Sequence, residues 1–158
     1  MKRYELIAIS VAVLDQAIKA YVRSLPLGET FFEIPNLLSL THCVNTGAAF
    51  SMLSGYPALI AVFSIGLLVG IGVYAARKMH LTDAVWAAVA CLAGGGIGNL
   101  LDRLLFSGVT DYIRLQFIDF PVFNLADIAI TGAVAVLLVL LASDALEKTT
   151  EDEHGTHD

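Results

Sequence analysis

Two long runs without a charged residue constrain this chain more than any other feature. Residues 58–76 and 84–101 contain no Asp, Glu, Lys or Arg over 19 and 18 positions. A helix rises about 1.5 Å per residue, so about 20 mostly apolar residues cross a hydrocarbon core of about 30 Å. Because 57% of the 158 residues are hydrophobic and only 15% are charged, the chain is more apolar than a soluble domain requires. The sequence therefore predicts one integral-membrane domain.

Two weaker apolar runs complete a set of four predicted membrane spans. The first is interrupted by Asp15 and Lys19, and the last is free of charge only over residues 128–143. The predicted fold is an all-α membrane protein, a four-transmembrane-helix bundle that occupies residues 1–146. The four spans are residues 6–22, 58–76, 84–105 and 125–146.

Basic residues indicate how the spans are oriented. Lys2 and Arg3 precede the first span, and Arg77 and Lys78 join the second to the third. By the positive-inside rule both groups lie in the cytoplasm, so the other two connections face outward and both termini are cytoplasmic. The N-terminal stretch imitates a signal peptide, but no small-x-small cleavage site follows it, so we read it as a retained span.

The net charge of −6 comes mostly from the C-terminal end. From Asp144 onward there are six acids and one lysine, which leaves −1 for the rest of the chain. This distribution gives no reason to expect a nucleic-acid partner. Residues 147–158, EKTTEDEHGTHD, are predicted to be an acidic, disordered tail.

The cysteines and histidines offer no competing chemistry. Cys43 lies in a polar segment and Cys91 in an apolar one, so they make a poor disulfide pair and lack metal-ligand spacing. His42 is adjacent to Cys43 but has no evident third partner, which argues against a Cys-His enzyme.

The first outward connection has the composition of strands. Its stretch TFFEIPNLLSLTHCV, residues 30–44, is rich in aromatic and apolar residues and is interrupted by Pro and Asn. We expect one or two short strands that form a small sheet on the membrane surface. The following NTGAAF, with Asn45 and Gly47, is typical of a turn. The outward stretch FSGVTDYIRLQFIDFPV is read as a partly apolar linker with a turn at Gly108.

Polar residues gather on two predicted spans, although charged groups in hydrocarbon are costly and need a partner or a task. Asp15 and Lys19 are spaced i to i+4, which favours an ion pair on one face of the first helix. In AGGGIGNLLDRLLF, Gly94 and Gly98 permit close helix contact. Further residues of this segment fall along one helix face, namely Gly95, Asn99, Asp102 and Arg103.

Two aspartates lie at the outward ends of predicted spans. Asp111 follows the third span and Asp127 opens the fourth. Locally, Asn124 is suited to cap a helix with Asp127 in its first turn, an arrangement that needs no function. Two carboxylates within a few Å, however, share a proton and titrate as a pair. In aspartic proteolysis the ionised partner takes a proton from water while the protonated one polarises the scissile carbonyl, so the pair favours a peptidase.

Five motifs in order along most of the chain resemble one known family. The chain is similar to the lipoprotein signal peptidases, also called signal peptidase II. The similar segments are LDQAIK at 14–19, NTGAAFS at 45–51, GGGIGNLLDR at 94–103, VTDYI at 109–113 and FNLAD at 123–127.

This resemblance implies an activity, a fold and a set of site residues. It implies an aspartic endopeptidase of the bacterial cytoplasmic membrane that cuts diacylglyceryl-modified prolipoproteins before the lipidated cysteine, with Asp111 and Asp127 as catalytic residues and no metal or cofactor. The implied fold is a four-helix bundle with a small extracytoplasmic β-cradle. Residues implied to line or support the site are Asn45, Gly47, Gly95, Asn99, Arg103 and Asn124, with Asp15 and Lys19 in structural support.

Two readings from other classes remain open at this point. A small proton-coupled transporter also uses four spans with intramembrane acids, but it expects an essential acid near the bilayer midplane. A non-catalytic assembly subunit uses glycine seams but does not need two aspartates in outward segments. We expect a monomer in contact with membrane lipids, because the polar face is complete within one chain.

Overall fold

The chain forms four helices and three strands in the computed structural model, which describes residues 2–47, 56–77, 82–106 and 108–154. The elements are α1 (Lys2–Arg23), β1 (Thr30–Ile34), β2 (Leu38–Asn45), α2 (Pro57–Arg77), α3 (Asp83–Phe106), β3 (Val109–Leu115) and α4 (Leu125–His154). The prediction of four helices with a small sheet is confirmed. The segment read as a linker before the fourth span contains a third strand that the sequence analysis missed.

Helix α3 is central because three consecutive glycines let three helices approach it. Gly94 faces Ala8 of α1, Gly95 faces Ala126 of α4, and Gly96 faces Leu68 of α2. A Cβ at Gly95 would lie 2.6 Å from the Ala126 carbonyl oxygen, closer than real side chains come. The helix backbones therefore approach closely near the middle of α3.

The substitution Gly95→Ala is expected to push α4 away from α3. Overpacking of this kind costs about 1–3 kcal/mol, and it displaces the start of α4, so both the thermal midpoint and the activity should fall. Gly66→Ala is the matched control, because nothing lies within 4 Å of a Cβ there and alanine favours the helix by up to about 1 kcal/mol. Equal melting temperatures for the two variants in detergent would contradict the packing account.

The three strands pair antiparallel in the order β1-β2-β3. A short turn joins β1 to β2 and places Asn36 at a φ of 61°, a left-handed conformation that asparagine tolerates. Strand β3 comes from the α3–α4 connection, and Cys43 of β2 is in register with Asp111 of β3. The sheet therefore joins the two connections that the sequence analysis assigned to one face of the membrane.

The opposite end of the bundle holds the starts of α1 and α3 together. The rings of Tyr4 and Trp86 stack with centroids 5.8 Å apart, and Arg3 forms an ion pair with Asp83. These two helices therefore run parallel. The sheet and the beginning of α4 lie at the other end.

The acidic tail is not disordered over the residues that the structure describes. Helix α4 continues through His154, so the prediction of disorder from residue 147 onward is wrong as far as residue 154. The stretch has neither glycine nor proline between Gly132 and Gly155, and Ala145 and Leu146 are strong helix formers. Residues 155–158 lie outside the described part.

Membrane-crossing capacity is clearest for α3. Among the described residues, α3 is the one helix whose 24-residue length and hydropathy meet the requirement for crossing a membrane. The apolar part of α4, Leu125–Leu140, is shorter. The arrangement of four spans stays a prediction.

Candidate active site

The first turn of α4 is the structural centre of the site. Asn124 caps the helix, because its Oδ1 accepts the backbone N–H of Asp127 at 3.0 Å. In return, Asp127 Oδ2 accepts the backbone N–H of Asn124 at 3.1 Å. This is the reciprocal arrangement of a capping box. The helix-cap interpretation of this pair is confirmed.

Two other elements satisfy the remaining donors of this turn. The backbone N–H of Leu125 donates to the Tyr112 hydroxyl at 3.2 Å, and that of Ala126 donates to Asp15 Oδ1 at 3.0 Å. Burial raises the pKa of Tyr112 to about 12, so its hydroxyl stays neutral at physiological pH. Because helix starts otherwise leave these donors unpaired, β3 and α1 together fix the beginning of α4.

Asp111 is held in β3 by two asparagine side chains. Its Oδ1 accepts Asn124 Nδ2 at 2.6 Å and its Oδ2 accepts Asn45 Nδ2 at 3.0 Å. Asn45 is oriented in turn, since its Oδ1 accepts the backbone N–H of Gly47 at 2.9 Å. Asp111 as a whole residue is only 2% exposed. Both of its oxygens are thus fixed by neutral donors.

Asp127 is oriented by Asn99 of α3. Its Oδ1 accepts Asn99 Nδ2 at 2.7 Å. The Asn99 amide has one possible orientation here, because its Oδ1 accepts Lys19 Nζ at 2.7 Å and Asn124 Nδ2 at 3.1 Å. Asn124 therefore bonds to both carboxylates, through its side chain to Asp111 and through its backbone to Asp127. The two acids belong to one hydrogen-bonded unit.

The electrostatics of the pair favour a proton on Asp111. Burial, and next the charge of Asp127, raise the pKa of Asp111 to about 6. Arg103 does not neutralise the pair by contact: in the described structure its guanidinium donates to the carbonyl oxygens of Asn99, at 3.1 Å, and Gly47, at 3.3 Å. An acid with a pKa near 6 is protonated in a useful fraction of molecules at neutral pH.

A buried network of charged side chains lies between α1 and α3, next to the residues that hold the two aspartates. Lys19 Nζ lies 2.8 Å from Asp15 Oδ2 and 3.7 Å from Asp102 Oδ2, and all three side chains are fully buried. Asp102 also accepts the backbone N–H of Thr110 at 2.8 Å and pairs with Arg23 at 3.1 Å. The network therefore ties α1 and α3 to the residue that precedes Asp111.

A cavity of about 670 Å³ opens in front of the two aspartates. Asp111 and Asp127 lie at its polar end, together with Asn45, Asn99 and Arg103. The rest of its wall comes from the start of β3, the segment before α4 and the first turns of α4, namely Val109, Phe120, Pro121, Val122, Phe123, Ile128, Ile130, Thr131 and Gly132. The arrangement offers a paired acid and base to a mostly apolar ligand.

Comparison with known proteins assigns the chain to a family. Residues 7–143 match the sequence profile described as Signal peptidase (SPase) II. The chain belongs to this family. A lipoprotein signal peptidase of Streptococcus pneumoniae is 36% identical over 152 residues, which cover 92% of this chain and 98% of that protein. One of Streptococcus pyogenes is 39% identical over 135 residues, which cover 84% and 88%.

Two solved structures of bacterial membrane enzymes share the fold. One superposes with a TM-score of 0.89 at 30% identity and covers 94% of this chain and 92% of its own. The other has a TM-score of 0.81 at 30% identity and covers 89% and 93%. The resemblance to signal peptidase II that the motifs indicated is therefore confirmed, and the family and these structures point to a bacterial membrane protein.

Two residues expected to line the site, Asn124 and Gly95, are buried and do not line the cavity. Asn124 is fully buried, with its side chain bonded to Asp111 and its backbone N–H bonded to Asp127. Gly95 is buried beneath the first turn of α4, where its missing side chain permits helix contact. Asn45, Asn99 and Arg103 do line the cavity.

Several supporting residues of the signal peptidase II site escaped the sequence analysis. Gln16 Nε2 donates to Asp102 Oδ1 at 2.8 Å and to the Gly98 carbonyl oxygen at 2.9 Å. Arg23 pairs with Asp102, and the Tyr112 hydroxyl accepts the backbone N–H of Leu125. A signal existed for Asp102, which shares a helix face with Asn99. No spacing connects Arg23 to its partners on α3 and β3.

Proposed function

We propose that this chain removes the signal peptide from diacylglyceryl-modified prolipoproteins by cutting the peptide bond before the lipidated cysteine, with Asp111 and Asp127 as the catalytic pair. The supporting observation is that both carboxylates line one cavity and are joined through Asn124. Within the described residues neither carboxylate has an ion-pair partner. The relatives named lipoprotein signal peptidase support the same reaction.

Each aspartate has a distinct role in the proposed mechanism. Asp127, oriented by Asn99, acts as the base and accepts a proton from a water molecule whose oxygen attacks the scissile carbonyl carbon. Asp111, protonated because its pKa is raised, donates to the carbonyl oxygen. Collapse of the tetrahedral intermediate breaks the C–N bond: a hydroxyl proton returns to Asp111 as the carbonyl re-forms, and the cysteine amine leaves with the proton that Asp127 had taken from water. A positioned acid and base contribute about 10² to 10⁴ in rate.

Activity should decline as pH rises through the pKa of Asp111. The acid is required in its protonated form, and its pKa is about 6, so kcat/KM should fall about tenfold per pH unit above a midpoint near pH 6. The measurement is initial cleavage rate at subsaturating substrate from pH 5 to 8.5. A rate that instead rises through pH 6 would assign Asp111 the ionised role.

A membrane position is supported by apolar side chains on the outside of the bundle. Many large hydrophobic residues of α1, α2 and α4 are between 38% and 67% exposed, among them Leu6 at 63%, Phe63 at 67% and Val139 at 65%. A soluble monomer rarely shows such continuous apolar surface. We propose that lipid covers it, that all four helices span the bilayer, and that the sheet and the aspartates face outward with both termini in the cytoplasm.

This position suits a substrate that cannot leave the bilayer. Each buried methylene contributes about 0.8 kcal/mol, so the acyl chains of a lipidated cysteine remain in the membrane while the bond is cut at its surface. The site opens at the sheet end of the bundle, where water has access. The transporter alternative finds no support, since the relatives and the solved structures are enzymes.

We further propose that the working unit is a monomer. Both oxygens of each carboxylate already accept a hydrogen bond from a described residue. No second copy is therefore needed to complete the site.

The function is tested with two substrates that differ only in the lipid. Purified protein in lipid bilayers is mixed with a prolipoprotein carrying diacylglycerol on its cysteine, or with the unmodified form, and product masses are followed. The expected result is release of the signal peptide from the lipidated form and little from the other. Equal cleavage of both forms, or of neither, would contradict the proposal.

A further inference from the structure

A second depression lies on the sheet beside the aspartate cavity. It is a polar groove of about 1010 Å³ that we call the sheet groove. Its lining includes Thr30, Ser39, Thr41, Cys43, Arg114 and Gln116. Phe120, Pro121 and Val122 line both the groove and the cavity. The two depressions therefore adjoin at these three residues.

Alternate residues of β2 lead from the sheet groove toward the two aspartates. Ser39, Thr41 and Cys43 line the sheet groove, and Asn45 lines the cavity. Cys43 is in register with Asp111, so the near end of the groove adjoins the dyad. From Asn45 back to Ser39 the strand extends about 20 Å at about 3.3 Å per residue. That length matches about six residues of extended peptide.

The far end of the sheet groove is bounded by a hydrogen bond between β1 and the residue that follows β3. Gln116 Nε2 donates to Glu33 Oε1 at 2.8 Å. Glu33 of β1 is in register with Ser39 of β2. Arg114, the register partner of Ser39 on β3, is exposed and has no ion pair within the described residues. Its charge is free to contact a ligand in the groove.

The two depressions differ in chemistry as the two sides of the substrate do. The cavity has apolar walls from α4, such as Ile128 and Ile130, which suit the apolar signal peptide and acyl chains. The groove also has apolar residues at 115, 118 and 120–122, but its strands contribute hydroxyl and charged groups, which suit a polar chain outside the membrane. We propose that the sheet groove binds the first residues of the mature lipoprotein that follow the lipidated cysteine, in extended conformation. This inference rests on the proposed function.

Crosslinking through Cys43 tests where the mature segment lies. The chain has two cysteines, so Cys91→Ala leaves Cys43 as its one thiol. In the substrate the lipidated cysteine is a thioether, so one cysteine added two to four positions after it is the one free thiol. With copper phenanthroline, a disulfide should form to this position. No disulfide should form when the added cysteine is on the signal-peptide side of the substrate. None should form with the Cys43→Ser protein either. Preferential crosslinking from the signal-peptide side would overturn the proposal.

Kinetics with a long and a short substrate give an independent test. Arg114→Trp fills the groove, whereas Ile34→Trp places the same ring on an exposed β1 residue outside it. For a substrate with ten mature residues, Arg114→Trp should raise KM about tenfold, and Ile34→Trp should not. For a substrate that ends at the lipidated cysteine, both variants should match wild type. Equal effects on both substrates, or no effect, would refute groove binding, whereas a wild type that cuts neither substrate would refute the function itself.

Discussion

Asp111→Asn and Asp127→Asn should each lower kcat by about a thousandfold or more, while KM changes little. An amide neither takes the proton from water nor supplies one to the carbonyl oxygen, and such transfer contributes about 10² to 10⁴ in rate. The measurement is signal-peptide release from a lipidated prolipoprotein under saturating substrate. Asp83→Asn is the matched control, because Asp83 lies at the opposite end of the bundle with 75% of its side chain exposed. It should keep wild-type kcat.

Both variants are expected to stay folded. Each carboxylate oxygen accepts one N–H. In the Asn variants the new NH₂ group replaces one of these acceptors, so it faces the N–H donor that the oxygen had bound. Such an unsatisfied pair costs about 1–3 kcal/mol, which lowers the thermal midpoint without unfolding the protein. Near-wild-type kcat in either folded variant would remove that aspartate from the catalytic pair.

Lys19→Met should destabilise the protein more than any other single change considered. Lys19 is fully buried between Asp15 and Asp102 and also orients Asn99. Removing one partner of a buried ion network leaves the other charges uncompensated, at a cost of about 3–5 kcal/mol. Activity should fall with stability, because Asn99 loses the donor that fixes its amide.

Arg3→Met is the control for Lys19→Met, because it breaks an ion pair that is exposed. The side chains of Arg3 and Asp83 are 64% and 75% exposed, and solvent screens such pairs. Thermal unfolding of both variants in the same detergent should show a much larger downward shift for Lys19→Met. Equal shifts would mean that the buried network contributes no more than a surface contact.

The helices were predictable because long apolar runs and glycine spacing are local signals. The third strand was not. Residues 109–112 are all buried, so β3 lacks the alternation of polar and apolar residues that identifies a strand exposed on one face. Its burial depends on α1 and α3, which the local sequence does not reveal.

The support of the site was predictable only where its partners are close in sequence. Asp15 and Lys19, four residues apart, are paired as expected. Arg23, by contrast, reaches Asp102 and Thr110, which are 79 and 87 positions away. Side-chain partners at such separations depend on how helices pack, and no periodicity within one element encodes them.

The start of α4 shows that a structural and a functional explanation can hold for the same residues. Asn124 and Asp127 form a helix cap, as the local sequence suggested. The same bonds orient Asp127 in the cavity and leave the Asn124 amide to bind Asp111. The cap thus places one half of the proposed pair relative to the other.

The most direct test of the central claim compares the double variant Asp111→Asn/Asp127→Asn with the two single variants on the lipidated prolipoprotein. Residues that act as one unit are strongly non-additive when removed together. If the aspartates form one catalytic pair, the double variant should cleave about as slowly as either single variant. A double variant whose rate loss equals the product of the two single losses would show that the aspartates act independently, and would contradict a mechanism in which they work as one acid–base pair.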